Sequence, residues 1–259
     1  MKPKALILFA PGTNRDGDVA AALELAGADS QIVPLKTLRE SSVNWQSYQM
    51  LVIPGGFSYA DALGAGKLLA LDLSHYFLDQ VQSFVAAAKP VIGICNGFQA
   101  LVKSGILPNG IKNHETPWAT LTYNKGNHFE CRWVSLQPLS QKCIWTRGLT
   151  NLLDCPVAHG EGKFQVNGAQ KLEALAAADQ IALAYDHPDG RPADGDYPVN
   201  PNGSLLDIAG ICNPQGNVLG LMPHPENHVF PFQTPDRHRR TDSACLSFFQ
   251  NGVCYASDL

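Results

Sequence analysis

The sequence predicts an α/β fold with a mostly parallel sheet, because short apolar runs alternate with longer segments of helical spacing in its first half. The apolar runs have the length of strands, and the segments between them repeat apolar residues every three or four positions. The predicted strands are Ala5–Ala10, Gln31–Pro34, Met50–Pro54 and Val91–Cys95. Such alternation places helices on both faces of a parallel sheet, and right-handed crossovers then give a doubly wound, flavodoxin-like arrangement.

The helices between these strands are predicted from their spacing and from the residues that end them. Asp18–Ala26 has helical periodicity, and Gly27 follows it as a stop signal. Leu69–Ala88 supplies one or two helices between the third and fourth strands. Phe98–Lys103 continues directly after the fourth strand, and Gly105 is placed to end that helix.

The second half of the chain is richer in β-forming residues and predicts antiparallel strands, added to the sheet or packed beside it. The predicted strands are Ala119–Tyr123, Phe129–Gln137, Ile181–Tyr185, Asp207–Cys212 and Val218–Met222. The turn residues 213–217 join the last two strands as a hairpin. Asp186–Gly203 is dense in Pro, Gly, Asp and Asn and predicts an irregular loop, while Asp242–Gln250 predicts a closing helix. No linker divides the chain, so we expect a single domain over residues 1–259.

Composition excludes several classes of function. The net charge of −4 gives no electrostatic reason to expect nucleic-acid binding, and no apolar run approaches the roughly 18 residues of a membrane span. The seven cysteines are odd in number and include no CxxC pair, so neither a disulfide framework nor a zinc site is expected. The N-terminal apolar run is too short for a signal peptide, and we expect a cytoplasmic protein.

A cysteine flanked by glycines, in the segment Gly93-Ile94-Cys95-Asn96-Gly97, stands between the fourth predicted strand and the next helix. This is the G-x-S-x-G nucleophile pattern with sulfur in place of oxygen. A sharp strand-to-helix turn exposes the nucleophile, and the N-terminus of the helix favours a thiolate. The N–H of Asn96 is placed to bind an oxyanion. Cys95 is therefore a candidate nucleophile, although the motif alone leaves a buried structural cysteine as an alternative.

The segment Met222-Pro223-His224-Pro225-Glu226 supplies a candidate base and its orienting partner. Prolines bias the residues before them towards extended conformations, and residues two apart in an extended segment face the same way. We therefore expect His224 and Glu226 to approach one site together, with the carboxylate holding the imidazole tautomer.

A third segment, Pro54-Gly55-Gly56-Phe57-Ser58-Tyr59, follows the third predicted strand. A Gly-Gly loop at this point lets backbone N–H groups turn towards a ligand, so Gly56 and Phe57 could complete an oxyanion hole beside Cys95. A plain tight turn is the alternative. The nearby segment 64–68 resembles a phosphate-binding loop but lacks its first glycine and its Ser/Thr, so no ATP site is expected.

Together these motifs resemble the class I (triad) glutamine amidotransferases, and within them the glutaminase subunits of phosphoribosylformylglycinamidine synthases. The resemblance runs through most of the chain. Its segments are Ala10–Asn14, Pro54–Tyr59, Gly93–Gln99, Phe129–Arg132, Ala158–Phe164, Asn200–Ser204 and Gly220–Glu226. The sequence departs from the family where Arg15 stands for a frequent Cys, and where Ala60 and Gly64 stand for frequent Gly and Arg.

The resemblance implies a role for each matching residue. Cys95 attacks the side-chain amide of glutamine, His224 transfers the proton, and Glu226 orients His224. The resemblance further implies that a glutamyl thioester forms and is hydrolysed by water. A last group, Gln99, His159 and Glu161, is implied to shape the glutamine pocket, with a structural role equally open for Glu161.

The resemblance also implies partners. Ammonia would pass to formylglycinamide ribonucleotide, which a separate large synthase subunit activates with ATP and Mg²⁺, and a small third subunit often bridges the two. No cofactor or metal is expected on this chain. The basic run 237–240 could contribute to docking, although a solvated charge run is the simpler interpretation.

Three alternatives remain open from the sequence. A stand-alone cysteine hydrolase or deglycase of the DJ-1/PfpI type would place histidine directly after the nucleophile, where this chain has Asn96. A non-catalytic scaffold would have no need of Cys95, His224 and Glu226. A glutaminase that serves another biosynthetic synthase is disfavoured by the subfamily segments.

Overall fold

The computed structural model describes residues 2–40, 43–109, 117–235 and 244–259. Its main feature is a nine-stranded sheet with the strand order β2-β1-β3-β4-β11-β10-β9-β6-β7, and a separate sheet pairs β5 with β8. The strands are β1 (Lys4–Phe9), β2 (Asp29–Pro34), β3 (Met50–Ile53), β4 (Val91–Ile94), β5 (Ala119–Thr122), β6 (Glu130–Pro138), β7 (Leu153–His159), β8 (Lys163–Val166), β9 (Ile181–Asp186), β10 (Ile208–Cys212) and β11 (Val218–Leu221).

Helices connect the parallel strands and cover the sheet. They are α1 (Asp16–Leu25), α2 (Leu35–Glu40), α3 (Lys67–His75), α4 (Leu78–Ala86), α5 (Asn96–Lys103), α6 (Ala169–Ala177) and α7 (Leu246–Ser257). The predicted segment Leu69–Ala88 is thus two helices rather than one. Among the described helices none is long and apolar enough to cross a membrane.

The parallel half of the sheet confirms the predicted fold class. β1 pairs in parallel with β2 and β3, β3 with β4, and β4 with β11. The sequence predicted β11 among the added antiparallel strands, and this is correct only for its pairing with β10. Every residue of β3, β4 and β11 is buried, as expected of strands covered by helices on both faces. Because β4 and β11 run side by side in the same direction, their carboxyl ends meet, and residues that follow both strands are brought together.

The antiparallel half confirms the added strands in part. The predicted hairpin is β10–β11, and β9, β6 and β7 extend the sheet beyond it. The strand predicted as Ala119–Tyr123 does not join this sheet, since β5 pairs with β8 beside it. Both arrangements that the sequence left open therefore occur, one for each segment.

Several elements were not predicted from the sequence: α2, β7, β8 and α6. The physical reason is clearest for β7, because Pro156 within it lowers the signal for a strand. Proline lacks the N–H that a central strand needs, and it is tolerated on an edge. β7 is the last strand of its sheet, and the Pro156 carbonyl still accepts a hydrogen bond from the His224 N–H at 2.8 Å.

The loop between β9 and β10 is irregular over most of Asp186–Gly203, as predicted, with a cis peptide bond at Tyr197–Pro198. The predicted closing helix is α7, which starts at Leu246 and extends to Ser257. The basic run 237–240 and the first residues of the predicted helix, 242–243, lie outside the described residues.

Gly97 allows α5 to approach β3 closely. A Cβ built on Gly97 would lie 1.9 Å from the Ile53 carbonyl oxygen and 2.7 Å from its carbon, both at the end of β3. Only a glycine leaves room for this contact. By contrast, a Cβ on Gly17 in α1 would meet no atom within 4 Å.

These two helical glycines give a matched test of the packing. We expect Gly97→Ala to lower the free energy of unfolding by about 1–3 kcal/mol or more, because backbone atoms would have to move apart. Gly17→Ala should instead raise it by about 0.4–1 kcal/mol, because alanine restricts the unfolded chain. Chemical denaturation measures both changes. Equal stabilisation of the two variants would contradict the close approach of α5 and β3.

Candidate active site

Cys95 occupies a strained turn between β4 and α5. Its φ of 50° and ψ of −104° lie outside the regions that non-glycine residues favour, and it is the N-cap of α5. A Cβ on Gly93 would lie 2.7 Å from the Gly97 carbonyl oxygen, so the flanking glycines let the two chain segments pass. The sharp strand-to-helix turn predicted from the motif is present, but the predicted exposure of the nucleophile is wrong, because Cys95 is buried and is reached through the cavities that it lines.

His224 and Glu226 form a buried pair just beyond β11. His224 Nδ1 lies 2.7 Å from Glu226 Oε1, and their side chains are 4% and 0% exposed. The predicted extended run through Glu226 is wrong, because a 3-10 turn spans Pro225–Asn227. The fixed φ of proline suits the first position of a helical turn, and this turn brings the carboxylate back to the ring.

The Cys95 and His224 side chains meet at Gly55. A Cβ on Gly55 would lie 2.7 Å from His224 Cε1 and 3.4 Å from Cys95 Cβ, so both side chains pack on the same glycine. The two residues also line one small cavity of about 40 Å³, together with Gly56 and Ala158. The structure thus brings the three predicted triad residues together at the carboxyl ends of β3, β4 and β11.

His224 carries a proton at neutral pH in this arrangement. Burial by itself lowers the pKa of His224, but the negative charges at Glu226 and Cys95 and the hydrogen bonds to them outweigh burial and raise it to about 10. Because the pKa is raised, the bound proton adds stability that is fully present below 6.5 and is lost as the pH rises through about 10. The histidine is therefore an imidazolium that can act as an acid.

Two of the three predicted oxyanion donors are available. The N–H groups of Gly56 and Asn96 have no acceptor among the described residues. Gly56 has a φ of 137°, a conformation that glycine adopts readily and other residues rarely do. The prediction for Phe57 is wrong, because its N–H donates to the Gly12 carbonyl oxygen at 2.9 Å. This hydrogen bond belongs to the isolated bridge between Thr13 and Gly56, in which the Gly56 N–H itself makes no hydrogen bond.

Cys95 also lines a second, larger cavity of about 210 Å³. Its wall contains all three of the predicted pocket residues, Gln99, His159 and Glu161. Aromatic side chains line its mouth and are exposed at 44% to 66%: Phe57, Tyr123 and Phe129. The rings of Phe57 and Phe129 stack with centroids 6.4 Å apart.

Gln99 and Glu161 are held in place by hydrogen bonds. Gln99 Nε2 donates to the Glu161 carbonyl oxygen at 2.6 Å, and Gln99 Oε1 accepts from Asn96 Nδ2 at 3.1 Å. The Glu161 carboxylate accepts from the Ala65 N–H at 3.2 Å and forms a salt bridge of 3.2 Å with Lys103. Glu161 therefore has a structural role and also lines the cavity.

The hydrogen bonds of Asn124 fix the tautomer of His159. Asn124 Nδ2 donates to the carbonyl oxygens of His128 and His159, so Asn124 Oδ1 is the acceptor that faces His159 Nδ1 at 3.2 Å. The proton is consequently on Nδ1, and Nε2 has no hydrogen-bond partner among the described residues. Burial, together with the charge of His224, lowers the pKa of His159 to about 3, so this ring is neutral.

Several residues around the cavity were not singled out from the sequence as site residues. Asn96 was chosen for its backbone, yet its side chain also accepts from Ser58 N at 3.2 Å and donates to Asp61 Oδ1 at 3.0 Å. Asn124 and Asp61 are distant from Cys95 in sequence, and no periodicity places them at the cavity. Lys103 lies on α5 four residues after Gln99, so the helical spacing of the predicted helix could have indicated it. The nearest signal was the resemblance segment Pro54–Tyr59, which stops just before Asp61.

Known proteins resemble this chain over nearly its whole length. The family model of the CobB/CobQ-like glutamine amidotransferase domain matches residues 2–256. The phosphoribosylformylglycinamidine synthase subunit PurQ of Treponema denticola is 55% identical, covering 98% of this chain and 99% of the relative. The PurQ subunit of Dehalococcoides mccartyi is 41% identical, with 98% of each chain covered.

Solved structures agree with this relationship. A chain of the PurLQS structure from Thermotoga maritima superposes with a TM-score of 0.75 and 28% identity, covering 98% of this chain and 99% of that one. A glutamine amidotransferase from the same organism is 13% identical with a TM-score of 0.56, over 98% of this chain and 97% of that one, and supports the fold alone. The chain therefore belongs to the CobB/CobQ-like glutamine amidotransferase family.

Proposed function

We infer that this chain is the glutaminase subunit of a phosphoribosylformylglycinamidine synthase. It hydrolyses L-glutamine to glutamate and ammonia, and the ammonia is used in purine biosynthesis. One observation carries the inference: a cysteine in a strained strand-to-helix turn packs against a carboxylate-bound imidazolium, in a chain 55% identical over nearly its full length to a PurQ subunit.

The first half-reaction makes a thioester and releases ammonia. The Cys95 thiolate attacks the amide carbon of glutamine, and the resulting oxyanion accepts hydrogen bonds from the N–H groups of Gly56 and Asn96. His224 then gives its proton to the amide nitrogen, the C–N bond breaks, and ammonia leaves. Glu226 holds the imidazole in position throughout.

The second half-reaction hydrolyses the thioester. His224, now neutral, takes a proton from a water molecule as that water attacks the thioester carbon. The C–S bond breaks and the thiolate–imidazolium pair is restored. The new carboxylic acid gives the second proton of the water to solvent and leaves as glutamate. The 40 Å³ cavity between Cys95 and His224 is large enough for one water molecule and places it beside both groups.

The substrate occupies the larger cavity. Gln99 and Glu161 shape its wall, and His159 presents a neutral ring whose Nε2 can only accept a hydrogen bond. A neutral histidine does not repel the positive charge on the nearby His224. These three residues are proposed to position the glutamine side chain without taking part in proton transfer.

We propose a large synthase subunit and a small bridging subunit as partners. The related structure from Thermotoga maritima is a PurLQS structure, and its name gives the L and S subunits beside Q. The exposed aromatic residues at the cavity mouth, Phe57, Tyr123 and Phe129, are the proposed contact surface, since ammonia released beside Cys95 leaves past them. In this proposal ATP and Mg²⁺ bind the synthase subunit. Residues 1–259 of this chain act as one domain in the cytoplasm.

The nucleophile is tested by separating the two ammonia sources. In the assembled synthase, Cys95→Ala should lower glutamine-dependent activity by roughly 10³-fold or more, because no other group can form the thioester. Activity with added ammonium should persist, since the ammonia-using reaction takes place on the partner. Cys254→Ala removes an exposed thiol on α7, which lines neither cavity beside Cys95, and serves as the control. Unchanged ammonia release from glutamine in the Cys95 variant would exclude this mechanism.

The pH profile tests the acid. We expect kcat/KM for glutamine to fall as the pH rises through about 10, where His224 loses the proton that the leaving group needs. Glu226→Gln removes one of the charges that raise this pKa, so the alkaline limb should move to lower pH. Rates of ammonia release between pH 6 and pH 11 locate the alkaline limb of each protein. An alkaline limb at the same pH in both proteins would contradict the assignment of His224.

A further inference from the structure

The wall of the 210 Å³ cavity beside Cys95 carries more negative than positive charge. Two carboxylates line this cavity, Asp61 and Glu161. Lys103 forms a salt bridge with Glu161, whereas Asp61 has no ion-pair partner among the described residues. The cavity wall therefore carries one carboxylate, Asp61, that forms no salt bridge within the described residues.

The two carboxylates differ in how far they are engaged. Both oxygens of Glu161 are used, one by the Ala65 N–H and the other by Lys103. For Asp61 the two hydrogen bonds, from Asn96 Nδ2 at 3.0 Å and the Gly66 N–H at 3.3 Å, go to the same oxygen, Oδ1. Asp61 Oδ2 has no donor in the described part of the chain.

The backbone that carries Asp61 is strained. Tyr59, Ala60 and Asp61 have φ values of 55°, 55° and 50°, so three successive non-glycine residues are in the left-handed region. Residues with a Cβ rarely adopt this conformation, because the Cβ then approaches the following carbonyl oxygen. The side chains of Tyr59 and Asp72 are hydrogen-bonded at 2.5 Å and help to fix the segment. A strained conformation fixed in this way is typical of functional sites.

Asp61 is also tied to the nucleophile. Asn96 follows Cys95 directly, and its side chain donates to both Asp61 Oδ1 and Gln99 Oε1 while accepting from Ser58. This amide therefore sets the distance between the sulfur and Asp61. A substrate whose amide carbon reacts at Cys95 can therefore reach Asp61 with a cationic group only if that group lies at the matching distance from the amide carbon.

We propose that Asp61 Oδ2 binds the α-ammonium group of the substrate and selects amino-acid amides over amides that lack an α-amino group. The assignment rests on the proposed glutaminase function and specifies how its substrate is recognised. Burial raises the pKa of Asp61, although hydrogen bonds from Gly66 and Asn96 oppose the shift, so a bound cation would favour the charged carboxylate.

The test compares two substrates that differ only in the α-amino group. Asp61→Asn keeps the shape and the Oδ1 hydrogen bonds, and asparagine is among the residues that best tolerate a positive φ. We expect this variant to lose roughly 10- to 100-fold in kcat/KM for glutamine, mainly through KM, as for a charge-assisted hydrogen bond. Hydrolysis of glutaramate, which is glutamine without its α-amino group, should be slow in the wild type and unchanged in the variant.

Asp72→Asn is the matched control, because it removes an acidic charge that holds the same loop but does not line the cavity. It should affect glutamine and glutaramate alike. An equal loss on both substrates in Asp61→Asn, or no loss on glutamine, would overturn the proposal. The same selective loss in Asp72→Asn would show that loop order, rather than the charge at Asp61, is responsible.

A second measurement is independent of turnover. Alkylation of Cys95 by iodoacetamide, followed by mass spectrometry of its peptide, should proceed equally in wild type and Asp61→Asn. Glutamine should protect the wild type at concentrations that do not protect the variant. If glutamine protects the wild type but is not hydrolysed by it, the proposed function is wrong and the Asp61 assignment stands. If glutamine protects both proteins equally, only the Asp61 assignment is wrong.

Discussion

The buried pair of His224 and Glu226 is the interaction on which the rest of the site depends. The carboxylate is fully inaccessible, and its second oxygen has no hydrogen-bond partner among the described residues. Its charge is therefore offset mainly by the protonated imidazole, 2.7 Å away. Removing one partner of such a pair costs about 3–5 kcal/mol, because the other charge stays buried without compensation. The attraction between the two charges keeps the histidine protonated and also allows the carboxylate to be buried.

The sheet topology explains how this pair reaches a cysteine more than a hundred residues earlier in the chain. β4 and β11 are parallel neighbours, so the turn after one strand lies beside the turn after the other. The edge strand β7 completes the arrangement, because the Pro156 carbonyl accepts from the His224 N–H and the Ala158 carbonyl lies 3.8 Å from the Cys95 sulfur. Gly55 leaves room for the imidazole and the sulfur to pack against the end of β3. The geometry of the site thus follows from strand order and from a few glycines.

Sequence reasoning succeeded where a local pattern has a local cause. The alternation of apolar runs predicted the first four parallel strands, although not the parallel pairing of β11, and the Gly-x-Cys-x-Gly spacing predicted the turn at Cys95. It failed where the cause is distant. Nothing near Phe57 indicates that its N–H is taken by Gly12, and nothing near Pro156 indicates that its strand is an edge. The position of Asp61 depends on Asn96, which is 35 residues away along the chain. Such partners are assigned only once the strands are ordered.

Two buried histidines near the same cavity show how environment, rather than residue type, sets a chemical role. Both rings are almost fully inaccessible, so burial lowers the pKa of each. At His224 a carboxylate lies against Nδ1 and outweighs burial, and the ring is a proton donor. At His159 the group against Nδ1 is the neutral Asn124 amide, which fixes a tautomer but supplies no charge. The positive charge on the first histidine then disfavours protonation of the second, so the acid next to Cys95 helps to keep the neighbouring ring of the pocket neutral.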